Sequence, residues 1–185
     1  MWALLLNEAL GRAASIVAEV FLGLGSNRDR YRHLSLGLDA LSDRFGSLGL
    51  SRVFESESVG FEGSLFLNMV VSLSTELSVG ELSQCIREIE VDHGRIPNAA
   101  KYSPRTLDID LLLYDDVVGV VDGVELPRGE VLNNAFVLWP LSELSPEREH
   151  PVAKRPYRQL WQNYSSSQKL WPVDFQWQGR CISTP

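Results

Sequence analysis

Cysteine is scarce in this chain. Cys85 and Cys181 are the only two in 185 residues, too few for a disulfide framework or a thiolate metal cluster, and a reducing cytoplasm is the expected compartment. Histidine is scarce too, and His33, His93 and His150 all stand apart from the acidic motif described below. Long apolar runs are missing. The opening Trp2-Ala3-Leu4-Leu5-Leu6 stretch has no basic start and soon meets Glu8, so residues 1–15 are expected to be an ill-defined extension rather than a leader. No run approaches the ~20 apolar residues of a membrane span. Positive charge is also short: 17 Lys and Arg against 24 Asp and Glu leave a net charge of -7, which argues against broad electrostatic binding of nucleic acid. An anionic substrate that arrives with its own Mg²⁺ is compatible with that balance. No internal repeat is found. What remains, 44% hydrophobic and 22% charged, is the composition of one globular domain large enough for a real core.

The chain is organised around Pro104-Arg105-Thr106-Leu107-Asp108-Ile109-Asp110-Leu111-Leu112-Leu113-Tyr114. This stretch reads as a β-strand, apolar and opened by a proline that ends the preceding loop. Alternate side chains of a strand share a face, so Asp108 and Asp110 are expected on one side and Leu107, Ile109, Leu111 and Leu113 on the other, in a core. Two neighbouring carboxylates repel each other unless cations share their charge. A lone Asp-x-Asp is more often a solvated strand end. Here Arg105 precedes the pair, and the loop before it, from Arg95 to Ser103, adds Lys101 and Tyr102. Carboxylates that hold Mg²⁺ on phosphate oxygens, with guanidinium forks around them, suit transfer of a phosphoryl or pyrophosphoryl group. No Cys or Ser nucleophile context accompanies them, which argues against acyl transfer through a covalent intermediate.

Upstream, Ile16–Gly25 alternates as a strand and runs into Gly23-Leu24-Gly25-Ser26-Asn27, where glycines allow a tight turn or close approach of backbone to a ligand. A helix over residues 30–45 follows, with Leu34, Leu38, Leu41 and Phe45 at helical spacing and Gly46 as its stop. Leu48–Glu57 is expected to be a second strand and Leu65–Thr75 a third. In the third, Asn68 shares the less apolar face with Phe66; this suits a flat, hydrogen-bonding heterocycle, and equally an asparagine satisfied by backbone. Ser78-x-x-Glu81 is a capping box for a second helix that ends at Gly94. Residues 115–127 read as short strands joined by turns, and residues 133–141 as an apolar run ending in a short helix. The tail is expected to carry a helix near Tyr157–Tyr164 and then pack irregularly. The order strand, helix, strand, strand, helix, strand predicts an α+β fold of the ferredoxin-like split β-α-β kind: an antiparallel sheet, helices on one face, and an open ligand-binding face that carries Asp108, Asp110, Phe66 and Asn68.

Gly-Leu-Gly-Ser-Asn at 23–27, Phe-Leu-Asn at 66–68, Gly94-Arg95, Pro-Arg-Thr-Leu-Asp-Ile-Asp at 104–110 and Ala-Phe-Val-Leu-Trp-Pro-Leu at 135–141 occur in this order. In these motifs the chain resembles the 6-hydroxymethyl-7,8-dihydropterin pyrophosphokinase family of folate biosynthesis, over roughly residues 17–165. The resemblance implies transfer of the β,γ-pyrophosphate of ATP to the pterin hydroxymethyl group, with release of AMP, by a monomer or weak dimer. It implies catalytic roles for Arg95, Arg105, Asp108 and Asp110, with two Mg²⁺ ions on the aspartates. Glu90, Arg95, Lys101, Arg105, Leu111 and Arg128 are then expected at ATP, and Ser56, Val59, Phe66, Asn68, Tyr102 and Phe136 at the pterin. Residues 16–165 would form the pyrophosphokinase domain and 166–185 a tail packed on it. The chain departs from the family pattern in several places: Arg128 stands where many members have His, Asn134 where they have Arg, Tyr102 where many have Trp, and Ser103 where a Gly or Ala is usual. The Glu57-Ser58-Val59 stretch before Gly60 lacks the prolines often found there.

Two other readings stay open. One is a nucleotidyltransferase of the Gly-Ser/Asp-x-Asp type, although Gly25-Ser26 lies far upstream of Asp108, whereas that class keeps these pieces close together. The other is a non-catalytic ferredoxin-like binding domain, for which the acidic balance and the lack of an aromatic ribonucleoprotein motif argue against RNA.

Overall fold

The computed structural model describes residues 17–57, 64–95 and 106–185. In chain order the elements are β1 (Ala18–Ser26), α1 (Arg30–Phe45), β2 (Gly49–Leu50), β3 (Phe54–Ser56), β4 (Phe66–Thr75), α2 (Val79–Asp92), β5 (Asp108–Tyr114), β6 (Gly119–Val121), β7 (Val124–Leu126), α3 (Glu130–Asn133), α4 (Ala135–Leu144), α5 (Tyr157–Gln162), β8 (Leu170–Pro172), β9 (Phe175–Trp177) and β10 (Arg180–Ser183). The main sheet runs β5-β1-β4-β3-β8, with β2 also on β4, and every pairing in it is antiparallel. β1 lies inside the sheet, paired along its whole length with β4 and along most of it with β5. No helix among the described residues is long and apolar enough to cross a membrane.

Alternation on the strands separates two cores. Ala18, Val20, Leu22 and Leu24 of β1, together with Leu67, Met69, Val71 and Leu73 of β4, face Leu34, Leu38 and Leu41 of α1 and Leu82, Ile86 and Ile89 of α2. The helical stripes are those of the sequence periodicity, and α2 starts at the expected capping box, the Ser78 hydroxyl accepting from Glu81 N–H while the Glu81 carboxylate accepts from Ser78 N–H. The opposite face is not open, as expected, but half covered. Phe21, Val70 and Leu112 meet Val131 of α3, Val137, Leu138 and Leu141 of α4, and Tyr157 and Leu160 of α5 in a second core. The apolar run at 133–141 is what closes that face.

Three local features differ from the sequence reading for physical reasons. Leu113 was expected beside Leu111, yet it belongs to the second core. The β1–β5 register slips between Phe21 and Leu22, pairing them with Leu113 and Leu111, and such a bulge turns the following side chain to the other face. The second strand is broken into β2 and β3 at Ser51, whose hydroxyl accepts from Val70 N–H at 2.9 Å while its own N–H donates to Val70 O at 3.0 Å, so a side chain replaces part of the ladder. The tail is regular. β8 pairs with β3, β9 and β10 form a hairpin, and Phe175 sits in the first core, stacked on Tyr31 of α1 at 5.6 Å.

His150 anchors the turn between α4 and α5. It is 3% exposed, and its Nδ1 accepts from the N–H groups of Val152 at 3.1 Å and Ala153 at 3.0 Å. Burial lowers its pKa below the ordinary value. Protonation would put a proton where two donors already point, so the folded state favours the neutral ring. The resulting stability is present above the unfolded value of about 6.5 and is lost as pH falls below it. The thermal midpoint should therefore drop more steeply between pH 7.5 and 5.5 in the native chain than in His150→Asn, which keeps an acceptor at the Nδ1 position without titrating; parallel pH profiles would contradict this.

Candidate active site

The register of the sheet builds the site. Across three neighbouring strands Asp108 opposes Gly25, and Gly25 opposes Asn68; one pair along, Asp110 opposes Gly23. Directly opposed residues of an antiparallel sheet share a face, so the aspartates of β5 and Asn68 of β4 look out over two glycines of β1. A Cβ at Gly25 would lie 3.5 Å from Asn68 Oδ1, and one at Gly23 would lie 3.4 Å from the Leu112 side chain. These glycines form a floor rather than a turn: they leave a gap of about two strand spacings, roughly 10 Å, between carboxylate and amide. Above it is a cavity of about 380 Å³, walled by Phe66 and Asn68 on one side, Asp108 and Asp110 on the other, and Asn134 and Phe136 from the start of α4.

The amide end is preset. Asn68 is 7% exposed, and its Nδ2 donates to Ser56 Oγ at 2.9 Å, which orients the amide. Ser56, Phe66, Asn68 and Phe136 are thus brought together. Val59 and Tyr102 lie outside the described residues.

The carboxylate end is a charge network. Arg95 Nη1 contacts Asp108 Oδ1 at 3.1 Å and also pairs with Glu90. Glu90 is buried on α2 and accepts from Ile109 N–H at 2.8 Å. Burial raises the Glu90 pKa above the usual carboxylate range, opposed by the Ile109 N–H and by Arg95. Arg128 Nη2 lies 2.9 Å from Asp110 Oδ1, and its Nε lies 3.4 Å from Glu130. Its backbone N–H donates to Leu112 O at 2.9 Å, which ties the residue to β5.

A second cavity of about 410 Å³ opens beside the first, lined by Glu90, Arg95, Leu111, Val124 and Arg87, and it shares Asp110 and Arg128 with the first. Four of the expected nucleotide residues, Glu90, Arg95, Leu111 and Arg128, therefore meet there. Lys101 and Arg105 lie outside the described residues. Two hollows of the size of small ligands are thus joined at a carboxylate–guanidinium pair. Sequence reasoning did not find Glu130; it met Asn134 only as a departure from the family pattern, and it left Gly23 and Gly25 between a tight turn and a close approach of backbone to a ligand. The glycine spacing carried that last signal, since two glycines two residues apart on a strand share a face.

Among the described residues no group of three or more His, Cys, Asp or Glu could hold a metal. Two carboxylates of one strand face are, however, the donor set by which a hard cation is shared with substrate phosphates, and Asp108 and Asp110 fit it.

A family model described as 7,8-dihydro-6-hydroxymethylpterin-pyrophosphokinase matches residues 21–146. The 2-amino-4-hydroxy-6-hydroxymethyldihydropteridine pyrophosphokinase of Porphyromonas gingivalis is 40% identical over 146 residues, 76% of this chain and 99% of that protein. The protein of the same name from Aquifex aeolicus is 34% identical over 146 residues, 78% of this chain and 91% of the relative. Among solved structures, a Plasmodium falciparum HPPK-DHPS triple mutant aligns with a TM-score of 0.63 at 16% identity over 80% of this chain, a likeness of fold alone. This chain spans only 42% of that longer one. The matched region runs from β1 through α4 and takes in both cavities, and on that ground the chain belongs to the 7,8-dihydro-6-hydroxymethylpterin-pyrophosphokinase family.

Proposed function

We propose that this chain moves the β,γ-pyrophosphoryl group of ATP to the hydroxymethyl oxygen of 6-hydroxymethyl-7,8-dihydropterin and releases AMP, a step of folate biosynthesis. The observation that carries this reading is the pair of cavities that meet at Asp110 and Arg128. Phe66 and Phe136 take the pterin ring, with Ser56 beside them, the Asn68 amide reads its edge, and the family resemblance adds Val59 and Tyr102 to the pterin residues. Glu90 and Leu111 lie by the nucleotide, and the family resemblance adds Lys101 to the ATP residues. Arg95, Arg105 and Arg128 neutralise the oxygens of the group in transfer, and Glu90 holds Arg95 in place for that task. Asp108 and Asp110 would hold two Mg²⁺ ions, which when bound supply charge shielding between phosphate oxygens. The glycine floor lets both substrates approach the backbone, so that acceptor and phosphate lie end to end.

The strand order β5-β1-β4-β3 with α1 and α2 as crossovers supports the ferredoxin-like split β-α-β reading. We take residues 16–165 as the catalytic unit, 1–15 as an extension and 166–185 as a segment packed on the unit, in a cytoplasmic monomer or weak dimer. Two free cysteines suit that compartment.

The assignment is tested by AMP release from ATP with and without the pterin. Purified chain should release AMP only with both substrates and a divalent cation, and Asp110→Ala should lower the rate by about a hundredfold or more; background release by the native chain would overturn the function. Gly25→Val should fold with a stability within about 1 kcal/mol of the native chain, since a strand tolerates valine. Its methyl groups fill the gap beside Asn68, so the KM for the pterin should rise at least tenfold, and an unchanged KM would remove the floor from the substrate site. Because Arg128 shares Asp110 with any bound cation, Arg128→Gln should bind Mn²⁺ alone about three- to fivefold more tightly, a range set by a partly exposed ion pair. Titration followed by electron paramagnetic resonance reads this directly, and equal affinities would show that the guanidinium does not compete.

A further inference from the structure

We propose that Gln168, in the segment beyond the matched region, is a positioning residue for the heterocycle: it fixes the start of α4 and with it the Phe136 wall. The proposal rests on the pterin reading above.

Helix α4 follows Asn134, whose backbone is extended at φ -120 and ψ 123. The first amide groups of a helix need acceptors from outside it, and an asparagine at the cap position ordinarily supplies one from its own side chain. Asn134 makes no such capping bond. Instead, Ala135 N–H donates to Gln168 Oε1 at 2.7 Å, and Gln168 Nε2 donates to Asn134 Oδ1 at 3.1 Å. One residue upstream, Asn133 O accepts from the Tyr164 hydroxyl at 2.8 Å. Three consecutive residues of the α3–α4 junction are thus gripped by positions 164 and 168.

The grip bears on the substrate because of where Phe136 stands. Asn134 and Phe136 line the 380 Å³ cavity, and Phe136 also lines a smaller one of about 190 Å³ with Ala135, Gln168 and Lys169. Phe136 is only partly buried against the second core and borders both hollows, so its place depends also on the backbone at 134–135. Gln168 is itself held: its N–H donates to Ser166 Oγ at 3.1 Å, and two residues later Leu170 of β8 pairs with Ser56, whose hydroxyl orients Asn68. One short segment therefore supports both the stacking wall and the amide that reads the ring. The two ends of one amide thus serve both partners, the oxygen accepting from Ala135 and the nitrogen donating to Asn134.

The test is calorimetric titration of 6-hydroxymethyl-7,8-dihydropterin into the chain loaded with Mg²⁺ and a non-hydrolysable ATP analogue. Gln168→Met keeps length and volume but removes both hydrogen bonds, and the pterin Kd should rise about tenfold, as two ordinary hydrogen bonds would give. The Kd of the analogue alone should change by less than about twofold. Gln168→Glu retains the acceptor, and a turn of the Asn134 amide supplies the missing donor, so its pterin Kd should stay within about threefold of native. A Gln168→Met chain with native pterin affinity, or one weakened equally for both ligands, overturns the positioning role while leaving the activity assignment intact. A native chain that binds the analogue and no pterin removes the pterin reading and this inference with it.

Discussion

Two carboxylates on one strand face, about 6.6 Å apart along the chain, constrain everything around them. At an effective dielectric near 20 their mutual repulsion is on the order of 2–3 kcal/mol, a substantial fraction of a domain's stability. The chain answers with guanidiniums, Arg95 at Asp108 and Arg128 at Asp110. Each guanidinium is tied to the scaffold, Arg95 through buried Glu90 and Arg128 through its backbone bond to Leu112. Glu90 in turn accepts from Ile109, the residue between the aspartates, so the network closes on the strand that causes the problem. In the ion pairs of this network four carboxylates, Glu90, Asp108, Asp110 and Glu130, stand against Arg95 and Arg128. Such a balance attracts a divalent cation once a phosphate is present to share it.

The sheet places this local charge on one wall of a cavity. Because β1 lies between β4 and β5, whatever stands on β1 separates the carboxylates from Asn68. Larger residues there would fill the cavity; Gly23 and Gly25 leave it open. On the other side of the same strand Leu22 and Leu24 are buried against α1 and α2. Alternation therefore lets one strand serve a dry core and a binding floor at once. Helices α3 to α5 cover the remainder of the ligand face over Phe21, Val70 and Leu112, and the cavity is what they leave uncovered.

Much of this was legible in the sequence because it rests on short-range periodicity. The stripes of α1 and α2, the capping box at Ser78 and Glu81, and the faces of β1 and β4 follow from spacing within single segments. So did the acidic pair and Arg95. The register slip in β5 left no trace, because Leu111, Leu112 and Leu113 are identical and any assignment of faces reads equally well. The break at Ser51 depends on a hydroxyl that meets Val70 on another strand. The pairing of Arg128 with Asp110 likewise depends on the path of the chain through β6 and β7, which no local pattern encodes. The second core was missed for the same reason: residues 133–141 are plainly apolar, yet where an apolar helix docks is decided by the surface that needs covering.

The tail shows how such non-local needs are met. A sheet that ended at β3, only three residues long, would expose the backbone groups of an edge strand beside the ligand pocket. β8 pairs with it residue for residue, Ser56 with Leu170 and Phe54 with Pro172, and the Ser183 hydroxyl, which accepts from Val53 N–H at 3.0 Å, ties the hairpin to the residue before β3. Trp177 Nε1 donates to Asp39 on α1 at 2.8 Å, so the hairpin is also pinned to the first helix layer. Covering the edge and stiffening the pocket are then one structural act. The strand that β8 protects carries Ser56, and Ser56 orients Asn68, so the order of the amide at one end of the cavity depends on a strand from the far end of the chain.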